Sequence, residues 1–154
     1  MNQEFSIRKL SGRENIPFEL LLLADPSTSM IETYIYNSEI FVVETGGAII
    51  ACCALCRAGE GIIEIKNIAV KDEWQGKGIG SMLLGSVIEN CKNRDIAELI
   101  IGTGNSSIGQ LYLYQKAGFR ITGIKKDYFS DNYPEIIVEN GIVCSDMIIL
   151  SLTL

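Results

Sequence analysis

The chain has 154 residues, 47% of them hydrophobic and 21% charged, with a formal net charge of −6 and no histidine. Such a length predicts one domain, residues 1–154, with a core of its own. The acidity argues against a nucleic-acid partner, which would need clustered Lys and Arg; no apolar run approaches the ~20 residues that span a bilayer, so no membrane partner is expected; and the missing histidine removes every Ser/His or Cys/His nucleophile pair and every histidine-containing metal site, so no metal is expected.

In chain order, Phe5 to Leu10 alternates as a first strand. Glu14 to Leu23 and Thr28 to Tyr36 read as two short helices, divided at Asp25-Pro26-Ser27, where the proline stops one helix and the serine caps the next. Ile40 to Glu44 is a strand, Thr45-Gly46-Gly47 a hairpin turn and Ala48 to Arg57 the returning strand. After the turn at Gly59-Glu60-Gly61, Ile62 to Val70 is a third hairpin-connected strand. Gly78 to about Asn93 is a helix whose apolar stripe is Ile79, Leu83, Leu84, Val87, Ile88 and Cys91.

Glu98 to Ile101 is apolar nearly throughout, as a central buried strand would be. Ser106 to Ala117 is a short helix stopped by Gly118, and Phe119 to Lys126 a strand. Tyr128 to Asn140 reads as a long loop closed by the hairpin signal Asn140-Gly141, with Ile142 to Leu152 the last strand. Strands and helices alternate, with hairpins in the first half and crossovers in the second. That order predicts an α/β fold, with α+β mixing, in three layers around a mixed sheet.

Five cysteines are present. Cys53-Ala-Leu-Cys56 has metal or redox spacing but lies in an apolar strand, where positions three apart face opposite ways. Buried free thiols are the better reading. A polar N-terminus without a signal-peptide pattern points to the cytoplasm, and that compartment and the odd count argue against a disulfide framework.

The most informative segment is Gln75-Gly76-Lys77-Gly78-Ile79-Gly80-Ser81, between a strand and an amphipathic helix. The first N–H groups of a helix have no intrahelical partner and sit at the positive end of its dipole. A glycine-rich approach lets phosphate oxygens reach them, so the segment is a candidate pyrophosphate cradle. It lacks the Walker pattern, and Ser81 stands where a dinucleotide fingerprint needs its third glycine. The plain alternative is a glycine-rich turn leading into a core helix.

What remains, Gln75-x-x-Gly78-x-Gly80, resembles the acyl-CoA pyrophosphate loop of the GNAT family of N-acetyltransferases. Leu113-Tyr114-Gln-Lys-Ala-Gly118-Phe119, preceded by Asn105, resembles a second segment of that family. The element order also matches, so the resemblance covers essentially the whole chain. It implies the three-layer GNAT fold, a central mixed, mostly antiparallel sheet with helices on both faces.

The resemblance further implies acetyl-CoA as cosubstrate, its pyrophosphate on Gln75 to Ser81 and its pantetheine arm along Ile68, Ala69, Val70 and Asn105. Asn105 is alternatively a helix N-cap. The family's tyrosine faces the CoA sulfur and can protonate the departing thiolate. Spacing from Asn105 would select Tyr112, and spacing to Gly118-Phe119 selects Tyr114. The helical stripe Ile108, Leu111, Tyr112, Gln115 puts Tyr112 on the core side, so Tyr114 is preferred.

N–H groups near Ala69 and Val70 would polarise the thioester carbonyl. Glu64 matches the position of the glutamate that some members use as base, or is a solvated strand residue. The acceptor, an amine-bearing small molecule or peptide, is expected at the first two helices and at the segment carrying Asp131, Tyr133, Glu135 and Glu139, where acids and aromatics can hold an ammonium. The expected activity is direct acetyl transfer to a primary amine. The alternative is a non-catalytic acyl-CoA sensor. A homodimer through the C-terminal strand stays open.

Overall fold

The computed structural model describes residues 3–12 and 15–154. Four strands, β1 (Ser6–Lys9), β2 (Glu39–Thr45), β3 (Ala48–Gly59) and β4 (Ile62–Val70), pair antiparallel in that order. The β2–β3 turn is tight because Gly46 and Gly47 take φ of 56° and 79°, which glycine adopts without a Cβ clash. Helix α3 (Ile79–Lys92) then crosses over to β5 (Glu98–Gly104), which runs parallel to β4. The sheet is completed by β9 (Met147–Thr153) beside β5 and β6 (Arg120–Lys125) at the edge, giving the order β1-β2-β3-β4-β5-β9-β6. Its one parallel pair, β4 with β5, makes it mixed and mostly antiparallel, as expected.

Two features of β4 shape everything that follows. First, β4 pairs with β5 only from Ile62–Glu98 to Ile65–Ile101. Beyond that rung β4 stays with β3 and β5 with β9, so the sheet splits. Second, Ala54 pairs with Asn67 and Leu55 with Ile65, leaving Lys66 as an extra residue, a β-bulge. The bulge reverses which side chains face which side. Ile63 and Ile65 before it, and Ile68 and Val70 after it, pack on one face, while Ala69 packs on the other.

Those two faces carry separate cores. Under α3 and α4 (Ile108–Lys116) lie Leu83, Leu84, Val87, Ile63, Ile65 and Leu99. Under α1 (Phe18–Ala24) and α2 (Thr28–Glu32) lie Leu20, Leu21, Ile31, Val42 and Cys52. Each fully buried Leu or Ile contributes about 1.5–3 kcal/mol, so both helix layers are held by their apolar stripes. No helix among the described residues is long and apolar enough to cross a membrane.

Several boundaries differ from the sequence reading. The first helix starts at Phe18; Glu14, its expected start, lies outside the described residues. The second ends at Glu32 and is followed by a separate 3-10 turn, Ile35–Asn37. The expected loop from Tyr128 to Asn140 contains a short helix, α5 (Tyr128–Asn132), and a strand, β7 (Ile137–Glu139). β7 pairs with β8 (Ile142–Cys144) in a small hairpin of its own. The last strand is therefore two, β8 and β9, parted at Ser145 and Asp146.

Candidate active site

Where β4 leaves β5, the split opens a cleft of about 430 Å³. Ile68, Ala69 and Val70 form its β4 wall, and Gly109, Gln110 and Leu113 of α4 the facing wall. Gln75, Gly76, Gly78, Ile79, Gly80 and Ser81 line it at the N-terminus of α3. Gly78, the N-cap of α3, has φ of 82°, and the first helical bond runs from the Met82 N–H to its carbonyl. The N–H groups of Ile79, Gly80 and Ser81 thus precede the helical ladder, as anion donors must. The Gln75 side chain donates to the Val70 carbonyl at 3.0 Å and to Asp72 Oδ1 at 3.2 Å, tying the loop to the end of β4. A Cβ on Gly80 would lie 3.6 Å from Leu113, so α3 and α4 approach closely there.

A second cavity, of about 210 Å³, adjoins this cleft, and Ala24 lines both. Glu64, Ile65 and Lys66 of β4 and Gly102 to Gly104 of β5 form its floor. A Cβ on Gly104 would collide with Cys144 Sγ, so only glycine there lets β8 close against β5. Asp25 and Tyr34 come from the α1–α2 region, and Tyr128, Phe129, Tyr133 and Glu139 from the α5–β7 segment. Glu64 pairs with Lys66 at 3.2 Å. The Tyr133 hydroxyl donates to Asp25 Oδ1 at 2.8 Å, and Ser107 Oγ donates to Glu139 Oε1 at 3.1 Å. Asn67, buried at the bulge, donates from Nδ2 to the Leu21 carbonyl and to the Tyr34 hydroxyl.

The tyrosines of this cavity are all held protonated. Burial pushes Tyr34 up to about 12; the Asn67 hydrogen bond opposes that and the charge of Asp25 adds to it. Burial also raises Tyr133, reinforced by its bond to Asp25. Tyr128 is raised by burial, with Lys66 opposing and Asp25 and Glu64 adding.

Three expected site residues fall elsewhere. Tyr114 is 3% exposed, with its ring 6.2 Å from that of Phe119, and does not line the cleft; Tyr112 is 66% exposed. The core side of α4 is thus the reverse of the one expected. Burial raises the Tyr114 hydroxyl far above a free phenol, which makes it a poorer proton donor. Asn105 is neither a cleft residue nor an N-cap: its Oδ1 accepts from the Ser145 and Asp146 N–H groups, and its Nδ2 donates to the Val143 carbonyl. Lys77 does not line the cleft; its Nζ lies 5.1 Å above the Trp74 ring.

The sequence profile of the family described as Acetyltransferase (GNAT) domain matches residues 36–121, more than half of the chain. The chain belongs to the GNAT family. It is 44% identical over 137 residues to the uncharacterized N-acetyltransferase YvbK of Bacillus subtilis strain 168, covering 89% of this chain and 88% of that protein. A crystal structure of a GNAT family acetyltransferase from Elizabethkingia anophelis with acetyl-CoA bound is similar at TM-score 0.94 and 50% identity, covering 97% of this chain and 98% of that one. The structure of an IAA acetyltransferase from Bacillus cereus ATCC 14579 is similar at TM-score 0.94 and 48% identity, covering 98% of this chain and all of that one.

The protein is therefore an acetyl-CoA-dependent GNAT N-acetyltransferase with the family's fold. The family motifs pointed to the cofactor side and little beyond it. Asp25, Tyr34, Lys66, Ser107 and Phe129 line the second cavity and were not named as site residues, although Tyr34 and Phe129 lie in the segments expected to meet the acceptor. Asp25 did carry a signal, since the Pro26 break between two helices places it in a turn. Of the acids and aromatics expected from the later segment, Tyr133 and Glu139 line the second cavity and Asp131 and Glu135 are exposed.

Proposed function

We propose that the second cavity receives a primary amine, which attacks the acetyl-CoA thioester directly through the split between β4 and β5. Acetyl-CoA lies in the larger cleft, with its pyrophosphate on the α3 N-terminus and its arm along Ile68 to Val70. What supports this reading most is that the two cavities adjoin at Ala24, so that a thioester in one can face an amine in the other.

In the reaction a carbon–nitrogen bond forms and the carbon–sulfur bond breaks. N–H groups at the end of β4 stabilise the developing oxyanion. The amine proton passes to Glu64, which lines the acceptor cavity at the β4–β5 junction. The CoA sulfur leaves as a thiolate and takes its proton from water; a thiol of pKa about 8.5 is a good enough leaving group to need no dedicated acid. Tyr114, shut in the core, is not assigned this proton. Five free cysteines suit a reducing compartment, and we place the enzyme in the cytoplasm.

The test is chromatographic detection of free CoA on incubation with acetyl-CoA and a panel of primary amines. Glu64→Gln should lower kcat on the order of 100-fold, as loss of a general base does. An unchanged kcat would overturn Glu64 as base.

A further inference from the structure

The charges of the acceptor cavity do not balance. Its lining carries three carboxylates, Asp25, Glu64 and Glu139, against one ammonium, Lys66. Lys66 pairs with Glu64. Among the described residues Asp25 and Glu139 have no Lys or Arg partner; neutral donors answer them instead. Asp25 Oδ1 accepts from the Tyr133 hydroxyl and, at 3.2 Å, from the Ser27 N–H, and Glu139 Oε1 from Ser107 and, at 3.5 Å, from Ser106. Their second oxygens, Asp25 Oδ2 and Glu139 Oε2, take no hydrogen bond from the described residues.

Both carboxylates are half-buried, and they stand on different elements, Asp25 at the end of α1 and Glu139 on β7. Two carboxylates without a cationic partner line one small cavity, and a cationic ligand would pair with them. Among the lining residues, Met30, Tyr34 and Phe129 suit a methylene chain and ammonium–π contact. At about 210 Å³ the cavity is about half the size of the 430 Å³ cleft beside it, which favours a short chain.

We infer that the acceptor is a short aliphatic diamine, its reacting amine at Glu64 and its far ammonium held by Asp25 and Glu139. This rests on the acetyl-transfer reading above and adds the substrate class to it. An amino acid is disfavoured, because its carboxylate would join three others and Lys66 is already paired.

The experiment compares putrescine, n-butylamine and γ-aminobutyrate, which share a four-carbon chain and differ in whether the far end is an ammonium, a methyl or a carboxylate. Acetylated product is measured by mass spectrometry with acetyl-CoA saturating. The kcat/KM for putrescine should exceed that for n-butylamine on the order of ten-fold or more, the scale of one partly desolvated charge pair, with γ-aminobutyrate slowest. Asp25→Asn or Glu139→Gln should bring the putrescine to n-butylamine ratio down toward about one, with calorimetric acetyl-CoA binding as the check that each variant is folded.

Equal or faster turnover of n-butylamine or γ-aminobutyrate overturns the diamine while leaving acetyl transfer standing. A ratio retained in both variants overturns the two carboxylates as its readers. No product from any of the three amines overturns the diamine; acetyl transfer itself falls only if the wider amine panel releases no CoA either.

Discussion

Tyr133 donates a 2.8 Å hydrogen bond to Asp25, its partner 108 residues earlier in the chain. It joins the C-terminal end of α1 to the end of α5, and both residues line the second cavity. Tyr133→Phe keeps the ring and removes the donor, which should cost about 1 kcal/mol of stability. Because Asp25 then loses its fixed orientation, KM for the amine should rise while KM for acetyl-CoA stays near its original value. Steady-state kinetics with each substrate varied separates the two. A rise confined to acetyl-CoA would contradict the placement of the acceptor.

Gly78 and Gly85 provide a contrast within one helix. A Cβ at either meets nothing within 4 Å, but Gly78 has φ of +82°. Gly78→Ala therefore costs about 1–2 kcal/mol through the backbone alone, and re-aiming the N–H groups of Ile79 to Ser81 should weaken acetyl-CoA binding at least about ten-fold. Gly85→Ala, on the exposed side of α3, should raise stability by about 1 kcal/mol. Thermal melts and calorimetric titration of both variants decide the matter. Equal acetyl-CoA affinity in Gly78→Ala would mean that the turn is only structural.

Asn105 makes three side-chain hydrogen bonds, all to the backbone of residues 143–146, where β8 passes into β9. At about 1 kcal/mol each, Asn105→Ala should cost about 2–3 kcal/mol. If Asn105 instead held the pantetheine arm, acetyl-CoA affinity would fall with little change in melting temperature. Denaturant unfolding beside calorimetric titration distinguishes the outcomes, and the structure predicts the loss in unfolding free energy.

Tyr114→Phe addresses the proton of the leaving thiolate. A general acid contributes on the order of 100-fold or more to turnover. With the hydroxyl in the core and outside the cleft lining, kcat should change by less than about three-fold. A drop of the larger size, with acetyl-CoA binding intact, would restore Tyr114 as the acid.

How much of this was legible in the sequence follows from range. The cradle was legible because its signal is local: glycines, a strand before them and an amphipathic helix after. The side of α4 that packs was not, since Leu111-Tyr112-Leu113-Tyr114 is apolar throughout and periodicity cannot choose among consecutive apolar residues. Docking against the sheet buries Tyr114 and leaves Ile108 half-exposed, at 50%. The second cavity was legible only in pieces. Asp25, Glu64, Gly104, Ser107 and Tyr133 meet only through the split, the bulge at Lys66 and the β7–β8 hairpin. None of these leaves a local mark in sequence, apart from the turn at Asn140-Gly141.

Stability should fall on the alkaline side. Burial raises Cys52 from 9.0 to about 12, Tyr34 from 10.0 to about 12, and Tyr114 further still. Each raised group keeps its proton in the folded state after the unfolded chain has lost it. Its stabilisation is thus complete below the unfolded pKa and is lost as pH rises through the folded one. The melting temperature should hold level toward pH 9.0 and then decline steadily up to about pH 12. A flat melting temperature across that window would contradict the burial of these groups.

Direct attack of the amine on acetyl-CoA bound in the adjoining cleft is tested most directly by initial rates with both substrates varied. Double-reciprocal lines should intersect, and no acetyl group should appear on the protein when acetyl-CoA is supplied alone. Parallel lines, together with an acetylated enzyme that passes its acetyl group to added amine, would contradict it.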